Sequence, residues 1–254
     1  MNEHALHVLE FPQVLEILAG FASSGLGQRR VRELSPLADV AQVERLQAET
    51  TELKALLMPE QDLPIGGLHD LSFILSELDR GVDVLLVEQI LEVADTIRAA
   101  RCVRAYLLAA EEIYPHVCHM AADIHEFDGL ESRIETTFNE NGGIKSSAST
   151  RLKTARNEIQ TMRGRVRGKL SSVMRSSAIA PHLQDTGIRE YDGRPTLAVR
   201  ASSASRVPGT QRGRSDSGGT VFIEPEGVRQ LGQQLTAALD KERDELVRIL
   251  REIS

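Results

Sequence analysis

Basic side chains are concentrated in the second half of the sequence, and they are the residues most able to do chemistry. Residues 145–214 hold 15 Lys and Arg but only 4 Asp and Glu, a net charge of +11. Such a density of cations is typical of surfaces that bind the phosphate oxygens of a polyanion. The candidate nucleic-acid-binding residues are Arg151, Lys153, Arg156, Arg163, Arg165, Arg167, Lys169, Arg175, Arg189, Arg194, Arg200, Arg206, Arg212 and Arg214.

The first half of the sequence carries the opposite charge. Residues 1–140 hold 10 Lys and Arg against 25 Asp and Glu, and residues 141–254 hold 20 against 12, so the halves carry −15 and +8. An asymmetry of this kind indicates a polyanion partner and places it in the second half. We interpret the acidity of the first half as the solvated side of ordinary helices.

Other chemistries find little support in the sequence. It contains no Gly-x-x-x-x-Gly-Lys-Ser/Thr loop for nucleotide phosphates and no paired cysteines at zinc-binding spacing. The one metal-like cluster (His116, Cys118, His119 and His125) matches no standard spacing. We therefore predict no catalytic residue, no metal and no cofactor in this chain. With no export signal and no apolar run of about 18 residues, we expect a cytoplasmic protein.

The first 140 residues predict short helices separated by breakers. Apolar spacing predicts helices over 12–20, 39–58 and 85–110. Asp39 is suited to cap the second of these, and Pro59 and the Pro64–Gly67 stretch are expected to break the chain after it.

From about residue 145 the pattern predicts a long helix. Ser146 to Thr150 offer capping side chains, and an apolar seam follows at the three- and four-residue steps of a coiled coil. The seam residues are Leu152, Ala155, Ile159, Met162, Val166, Leu170 and Val173. Gly164 and Gly168 each weaken the helix by about 1 kcal/mol relative to Ala, so it needs a partner helix.

Helical spacing is lost over residues 181–224. Ile188–Tyr191, an Asp192-Gly193 turn and Thr196–Val199 predict a hairpin, and a loop over 202–219 precedes a short strand at 220–223. Glu224-Pro225-Glu226 then begins a returning helix. Its predicted seam is Val228, Leu231, Leu235, Leu239, Leu246, Ile249, Leu250 and Ile253, and since no stop signal precedes Ser254, we expect the element to be truncated there.

These elements predict a mainly α fold. It comprises a helical core domain over 1–144 and a long antiparallel helical arm, or lever, that carries a small β-rich clamp tip. The arm consists of an outgoing helix over 145–180, the tip over 181–224 and the returning helix over 225–254.

The basic residues of the outgoing helix flank its seam on both sides, which leaves two interpretations open. They bind phosphates, or they form ion pairs with Asp240, Glu242, Asp244 and Glu245 of the returning helix. The tip arginines are expected to face few acids, which favours phosphate binding there. Only Tyr191 and Phe222 could stack bases near the tip, so we expect recognition of backbone or shape.

Short motifs along nearly the whole chain resemble one known family. They are Leu9-Glu10-Phe11 with Val14-Leu15, Ser24-Gly25-Leu26-Gly27, Leu34-Ser35-Pro36, Glu49-Thr50-Thr51-Glu52, Ile65-Gly66-Gly67-Leu68-His69-Asp70, Asn141-Gly142-Gly143-Ile144, Ser147-Ala148-Ser149, Arg206-Val207-Pro208-Gly209 and Ser217–Pro225. In this order they resemble the N-terminal part of the bacterial MutS-two family, the MutS paralogues described as endonucleases. The sequence departs from that pattern at Gly143 and Ser146, where the family has acids, and at Gln211–Arg214, where the family has a His-Asp pair.

The resemblance implies a core (lever) domain with an inserted clamp, in a homodimer that encircles nucleic acid. It implies binding to branched or mismatched DNA in suppressing recombination, or to the rRNA of stalled ribosomes in ribosome quality control. It also implies that the ATPase and Smr nuclease domains, with ATP and Mg, would lie beyond Ser254. The alternative is a helical dimerisation or protein-interaction module with no direct nucleic-acid contact.

Overall fold

The computed structural model describes residues 3–57, 63–110 and 112–254, and it divides into two compact units. The first unit is Met1–Gly143 with Ile253–Ser254, and the second is Ile144–Glu252. The break expected at Pro59 lies outside the described residues. No helix in the described part of the chain combines the length and apolar character that crossing a bilayer requires.

In its described residues, the first unit is built of helices α1 to α8. They are α1 Glu3–Val8, α2 Phe11–Ala19, α3 Gly25–Arg32, α4 Val40–Leu57, α5 Ser72–Asp79, α6 Val87–Leu108, α7 Pro115–Ala122 and α8 Asp128–Thr137. The three predicted helices are confirmed as α2, α4 and α6. Asp39 caps α4 as predicted, because its Oδ1 accepts the amide protons of Ala41 at 3.0 Å and Gln42 at 3.4 Å.

The metal-like His and Cys residues of the sequence lie on α7 and in the residues that follow it. Cys118 is buried, and its Sγ donates to the Leu107 carbonyl at 3.0 Å. Its neighbours Val117 and Ala121 pack with Leu107 in an apolar cluster between α6 and α7. Within the described residues, no three His, Cys, Asp or Glu side chains are grouped so that they could hold a metal ion.

Two long helices dominate the second unit. They are α9, Thr150–Met174, and α10, Glu226–Ile253. Ser149 caps α9 through the Leu152 amide at 2.9 Å, and five of the seven predicted seam residues of α9 are buried. The α10 seam is partly wrong: Leu239 is 37% exposed, whereas Ala238 and Glu245 are buried.

Between α9 and α10, four strands form one antiparallel sheet in the order β1-β2-β4-β3. The strands are β1 Leu183–Tyr191, β2 Arg194–Arg200, β3 Gly209–Arg214 and β4 Thr220–Pro225. The predicted hairpin is confirmed as β1 and β2, and the positive φ angles of Asp192 (49°) and Gly193 (67°) fit the left-handed geometry of its turn. The sheet packs on both helices through Leu197, Val199, Val221 and Ile223 against Val166, Leu170 and Val228.

The predicted loop over 202–219 is wrong in part. A short 3-10 helix, Ala201–Arg206, and the edge strand β3 occupy most of it. Strand β3 has no large apolar side chain to mark one face as buried, it pairs along one edge only, and it contains an irregularity between Gln211 and Gly213.

Candidate nucleic-acid interface

Facing segments of α9 and α10 contain no acidic residue. These are residues 159–175 and 227–239, which we call the acid-free half of the helix pair. The segments face each other, since Val166 and Leu170 pack in the same cluster as Val228, and a Cβ on Gly227 would lie 3.0 Å from Cε of Lys169. The acid-free half carries six exposed cations: Arg163, Arg165, Arg167, Lys169, Arg175 and Arg229.

The six cations of the acid-free half differ from those of other surfaces in their lack of close carboxylates. Among the described residues, no carboxylate lies within ion-pairing distance of any of them. Solvent ions can therefore gather around these cations, and a polyanion can displace them.

The other end of the helix pair is different. Residues 149–158 and 240–252, which we call the paired half, hold seven Lys and Arg and six Asp and Glu. Arg156 Nε donates to Glu242 at 2.8 Å, and Lys241 Nζ lies 3.0 Å from Glu158. Arg156 also donates to the Ile144 carbonyl at 2.8 Å and Ser146 Oγ at 2.9 Å. The ion-pair interpretation of the basic flanks therefore holds for Arg156, whereas Arg151 and Lys153 are exposed and have no carboxylate at ion-pairing distance among the described residues.

Glu245 is the most enclosed carboxylate of the paired half. It is 6% exposed, accepts from the capping Ser149 hydroxyl at 2.6 Å, and receives two bonds from Arg248 at 2.7 and 2.9 Å. The bonds from Arg248, followed by that from Ser149, lower the pKa of Glu245 to about 2 against its partial burial. One carboxylate thus joins the start of α9 to α10.

The arginines in and beside the sheet, which we call the sheet arginines, fall into two groups. They are Arg189, Arg194, Arg200, Arg206, Arg212 and Arg214. The expectation that they face few acids is wrong for three of them. Arg189 lies 3.0 Å from Asp185, while Arg212 donates to Glu224 at 2.8 Å and Arg194 lies 4.0 Å from that same carboxylate. The Gly187 amide, and then Arg189, lower the pKa of Asp185.

Glu224 lies on β4, an inner strand of the sheet, and is fully buried. It has 0% exposure, and its Oε2 accepts both bonds from Arg212. Its Oε1 and the nearby Nη1 of Arg194 are buried atoms without a hydrogen-bond partner in the described part of the protein. Arg194 and Arg212 are thus committed to an internal carboxylate, and we give them less weight as phosphate ligands.

The other three sheet arginines lie at one end of the sheet. Arg200 pairs in register with Thr220, and Arg214 pairs with Val221 on the other side of β4. Arg206 ends the 3-10 helix that follows β2, and the Ala201 amide donates to the Gly219 carbonyl at 3.0 Å. All three are exposed and have no carboxylate at ion-pairing distance among the described residues.

The two aromatic rings of the sheet stack on each other. The centroids of Tyr191 and Phe222 are 5.3 Å apart with an interplanar angle of 24°. A Cβ on Gly213 would overlap the Tyr191 ring, so that position must remain glycine for the ring to lie there. Because each ring has one face covered by the other, this arrangement is poorly suited to stacking several successive bases.

Of the fourteen residues predicted from sequence, the structure pairs four with carboxylates. These are Arg156, Arg189, Arg194 and Arg212. The ten others are exposed: Arg151, Lys153, Arg163, Arg165, Arg167, Lys169, Arg175, Arg200, Arg206 and Arg214. Arg151 still helps to lower the pKa of Glu245. Sequence reasoning missed Arg229, although the run of residues 227–239 without an acid could have identified it.

Comparison with known proteins gives a consistent set of relatives. No protein-family model matches the chain. Proteins named Endonuclease MutS2 match it over its full length: that of Alkaliphilus oremlandii is 31% identical over 256 residues, and that of Symbiobacterium thermophilum 33% over 254 residues. The Geobacillus sp. (strain WCH70) protein is 33% identical over 257 residues. Each match covers 100% of this chain and 32–33% of the relative, so the chain spans about a third of their length.

Proposed function

Because the chain is a partial MutS2-like region, we propose that it is the nucleic-acid-binding core and clamp part of a MutS2-like protein. Its phosphate-binding surface is the acid-free half of the helix pair, extended by Arg200, Arg206 and Arg214 at one end of the sheet. The target is branched or mismatched DNA, or the rRNA of a stalled ribosome. The proposal assigns binding to these residues and no catalytic step.

One observation carries the proposal. Six exposed cations lie on two facing helix segments that contain no acid, whereas elsewhere on the same two helices Arg156, Lys241 and Arg248 pair with carboxylates. A surface that served only to hold two helices together would gain from ion pairs throughout its length. Unpaired cations that flank a packed seam instead suit an external anion.

The test is a salt titration of binding by the intact chain. We expect binding to branched DNA or to ribosomes to weaken as salt rises, with a slope of log K against log salt of about −5 to −7 on duplex DNA. Changing Arg163, Arg165, Arg167 and Lys169 to Gln should reduce that slope by roughly 3 to 4, since each phosphate contact contributes about 0.9.

A matched variant distinguishes a local site from overall charge. Arg151→Gln, Lys153→Gln, Arg243→Gln and Arg251→Gln remove the same number of exposed cations from the paired half and its end. We expect this variant to retain most of the slope of log K against log salt that the parent chain shows. If both variants weaken binding equally, or if neither does, the acid-free half is not the binding surface.

A second candidate function has its own support. The first unit exposes large apolar side chains on α2 and just after it, including Ile17 and Phe21, the latter 82% exposed. Such a surface favours a protein-interaction or dimerisation module, and a homodimer is also what the resemblance to the MutS-two family implies. Under that candidate alone, Ile17→Ser with Phe21→Ser alters the mass measured by light scattering, while the four glutamine substitutions leave polyanion binding unchanged.

A further inference from the structure

The cations of the acid-free half lie in two rows on opposite flanks of α9. At about 100° per residue, Arg163 and Arg167 lie roughly 60° and 100° from the centre of the buried seam on one side. Arg165 and Lys169 lie at roughly the same angles on the other side. The exposure of all four and the burial of Val166 and Leu170 agree with this arrangement.

Between residues 161 and 172, the face of α9 that lies between the rows, opposite α10, presents only small side chains, and Gln160 and Arg175 lie on the same face at its two ends. Thr161, Gly164, Gly168 and Ser172 are exposed there, and a Cβ on either glycine would meet nothing within 4 Å. A ligand can therefore approach the helix backbone closely between the two rows. None of these four residues has a long side chain that could read base edges.

We propose that the acid-free half of α9 lies in the major groove of duplex DNA. Arg163 and Arg167 contact the phosphates of one strand, and Arg165 and Lys169 contact those of the other. This inference rests on the proposed function and names the form of nucleic acid that the same surface binds. The two rows of cations carry it, because one line of phosphates cannot reach both flanks of a helix at once.

The dimensions of a helix and of a groove agree with this placement. An α-helix with its side chains is about 10–12 Å across, and the major groove of B-DNA is about 12 Å wide and 8.5 Å deep. The major groove of A-form RNA is too narrow for such entry, which separates duplex DNA from duplex RNA. Contacts with both backbones and few with bases predict binding that is independent of sequence.

The experiment compares each row of cations on three probes. The intact chain is titrated with a 20-base-pair DNA duplex, an RNA duplex of the same sequence and the single DNA strand, each over a range of salt. Arg163→Gln with Arg167→Gln removes one row, and Arg165→Gln with Lys169→Gln removes the other. On duplex DNA we expect each row to contribute about 1.8 to the salt slope and the two losses to add.

A neutral obstruction tests the placement independently of charge. Gly164→Gln with Gly168→Gln fills the face between the rows while retaining every cation and improving helix propensity. We expect it to lower the duplex DNA slope by roughly 2, because one row or the other is lifted from its phosphates. The matched control is Gly129→Gln in α8, another exposed glycine whose Cβ would meet nothing within 4 Å.

The outcomes distinguish this inference from the proposed function. Suppose that removing all four cations lowers the salt slope but the glycine substitutions do not. The binding surface is then correct, and the placement of α9 in the groove is wrong. Equal binding to duplex RNA or to the single strand also overturns it. If removing all four cations has no effect on any probe, the proposed function itself fails.

Discussion

The two halves of the α9–α10 pair share a helical seam but differ in how their charges are used. In the paired half, Arg156 and Lys241 have carboxylate partners at 2.8 and 3.0 Å, and Arg248 binds the enclosed Glu245. In the acid-free half, the same pair of helices exposes six cations and no carboxylate. Apolar packing holds both halves together. The halves therefore differ in the distribution of acidic residues along α9 and α10.

Placement of acids therefore separates two roles within one helix pair. Internal ion pairs fix which residues of α9 meet which residues of α10, as Ser149 and Glu245 do at 2.6 Å. Cations left without partners are available to an external phosphate at no cost in broken internal bonds. Changes in the paired half should alter mainly stability, and changes in the acid-free half mainly binding.

The largest stability effect is expected at Glu245 of the paired half. Glu245→Gln removes the charge that accepts bonds from Arg248 and Ser149 in an enclosed position, and we expect a loss of about 2–3 kcal/mol in the free energy of unfolding. Urea denaturation followed by circular dichroism measures it. Asp240→Asn, at an exposed site on the same helix, should change stability by less than about 0.5 kcal/mol. Comparable losses in both variants would refute a special role for Glu245.

Acid sensitivity should follow from the same carboxylate. The pKa of Glu245 is lowered to about 2 in the folded protein from an ordinary value of 4.5, so its contribution is fully present above pH 4.5. That contribution is lost as the pH falls from 4.5 towards 2, because the unfolded chain then binds the proton more readily. Glu131, whose pKa is lowered mainly by its bond from Arg101, adds a loss of the same sign.

The measurement is the free energy of unfolding between pH 6 and pH 3 for the parent chain and Glu245→Gln. We expect the curve of the variant to be flatter over the acid range by the share that Glu245 contributes. Parallel curves for the two proteins would show that Glu245 does not titrate abnormally in the folded state.

Sequence reasoning succeeded where the signal was local. The seam of α9 follows from three- and four-residue spacing alone, and its positions from Leu152 to Leu170 are largely buried. It failed on α10, where Leu239 was placed in the seam. It also left out Glu245, which is buried because it binds Ser149, 96 residues away along the chain. No local pattern could reveal that contact.

The candidate site shows the same division. Helical spacing places the cations of α9 on the flanks of its seam, and Arg163, Arg165, Arg167 and Lys169 are exposed there, whereas Arg156 is half-buried against Glu242. The pairing of Arg212 with Glu224 depends on the irregular register of β3 against β4, which the sequence does not specify. Strand β3 itself was missed because its Gly-Thr-Gln-Arg-Gly-Arg sequence resembles a loop.

A smaller effect is expected from the glycines of the acid-free half. Gly164→Ala and Gly168→Ala should each stabilise the protein by about 1 kcal/mol, because both positions are helical and open to solvent. Thermal or urea unfolding measures the gain. Gly232→Ala in α10 is the contrast, since its Cβ would lie 3.1 Å from Oε1 of Glu224 and should bring no gain. A gain at Gly232 equal to that at Gly164 would contradict this explanation.

The smallest effect converts part of the acid-free half into a paired half. Gln234 lies seven residues before Lys241, and Arg165 lies seven after Glu158, so the antiparallel register that joins Lys241 to Glu158 should bring Gln234 to Arg165. Gln234→Glu should add about 0.2–1 kcal/mol of stability as an exposed ion pair. It should also reduce the salt slope of duplex DNA binding by about 0.9, because Arg165 acquires an internal partner.

Gln233→Glu is the matched control for that variant. It makes the same change in net charge, but residue 233 lies roughly 180° around α10 from the buried seam and points away from α9. If it reduces the slope as much as Gln234→Glu does, binding depends on total charge alone. If only Gln234→Glu acts, a single carboxylate suffices to withdraw a cation from the phosphate-binding surface, and the lack of acids in 159–175 and 227–239 is what keeps that surface open.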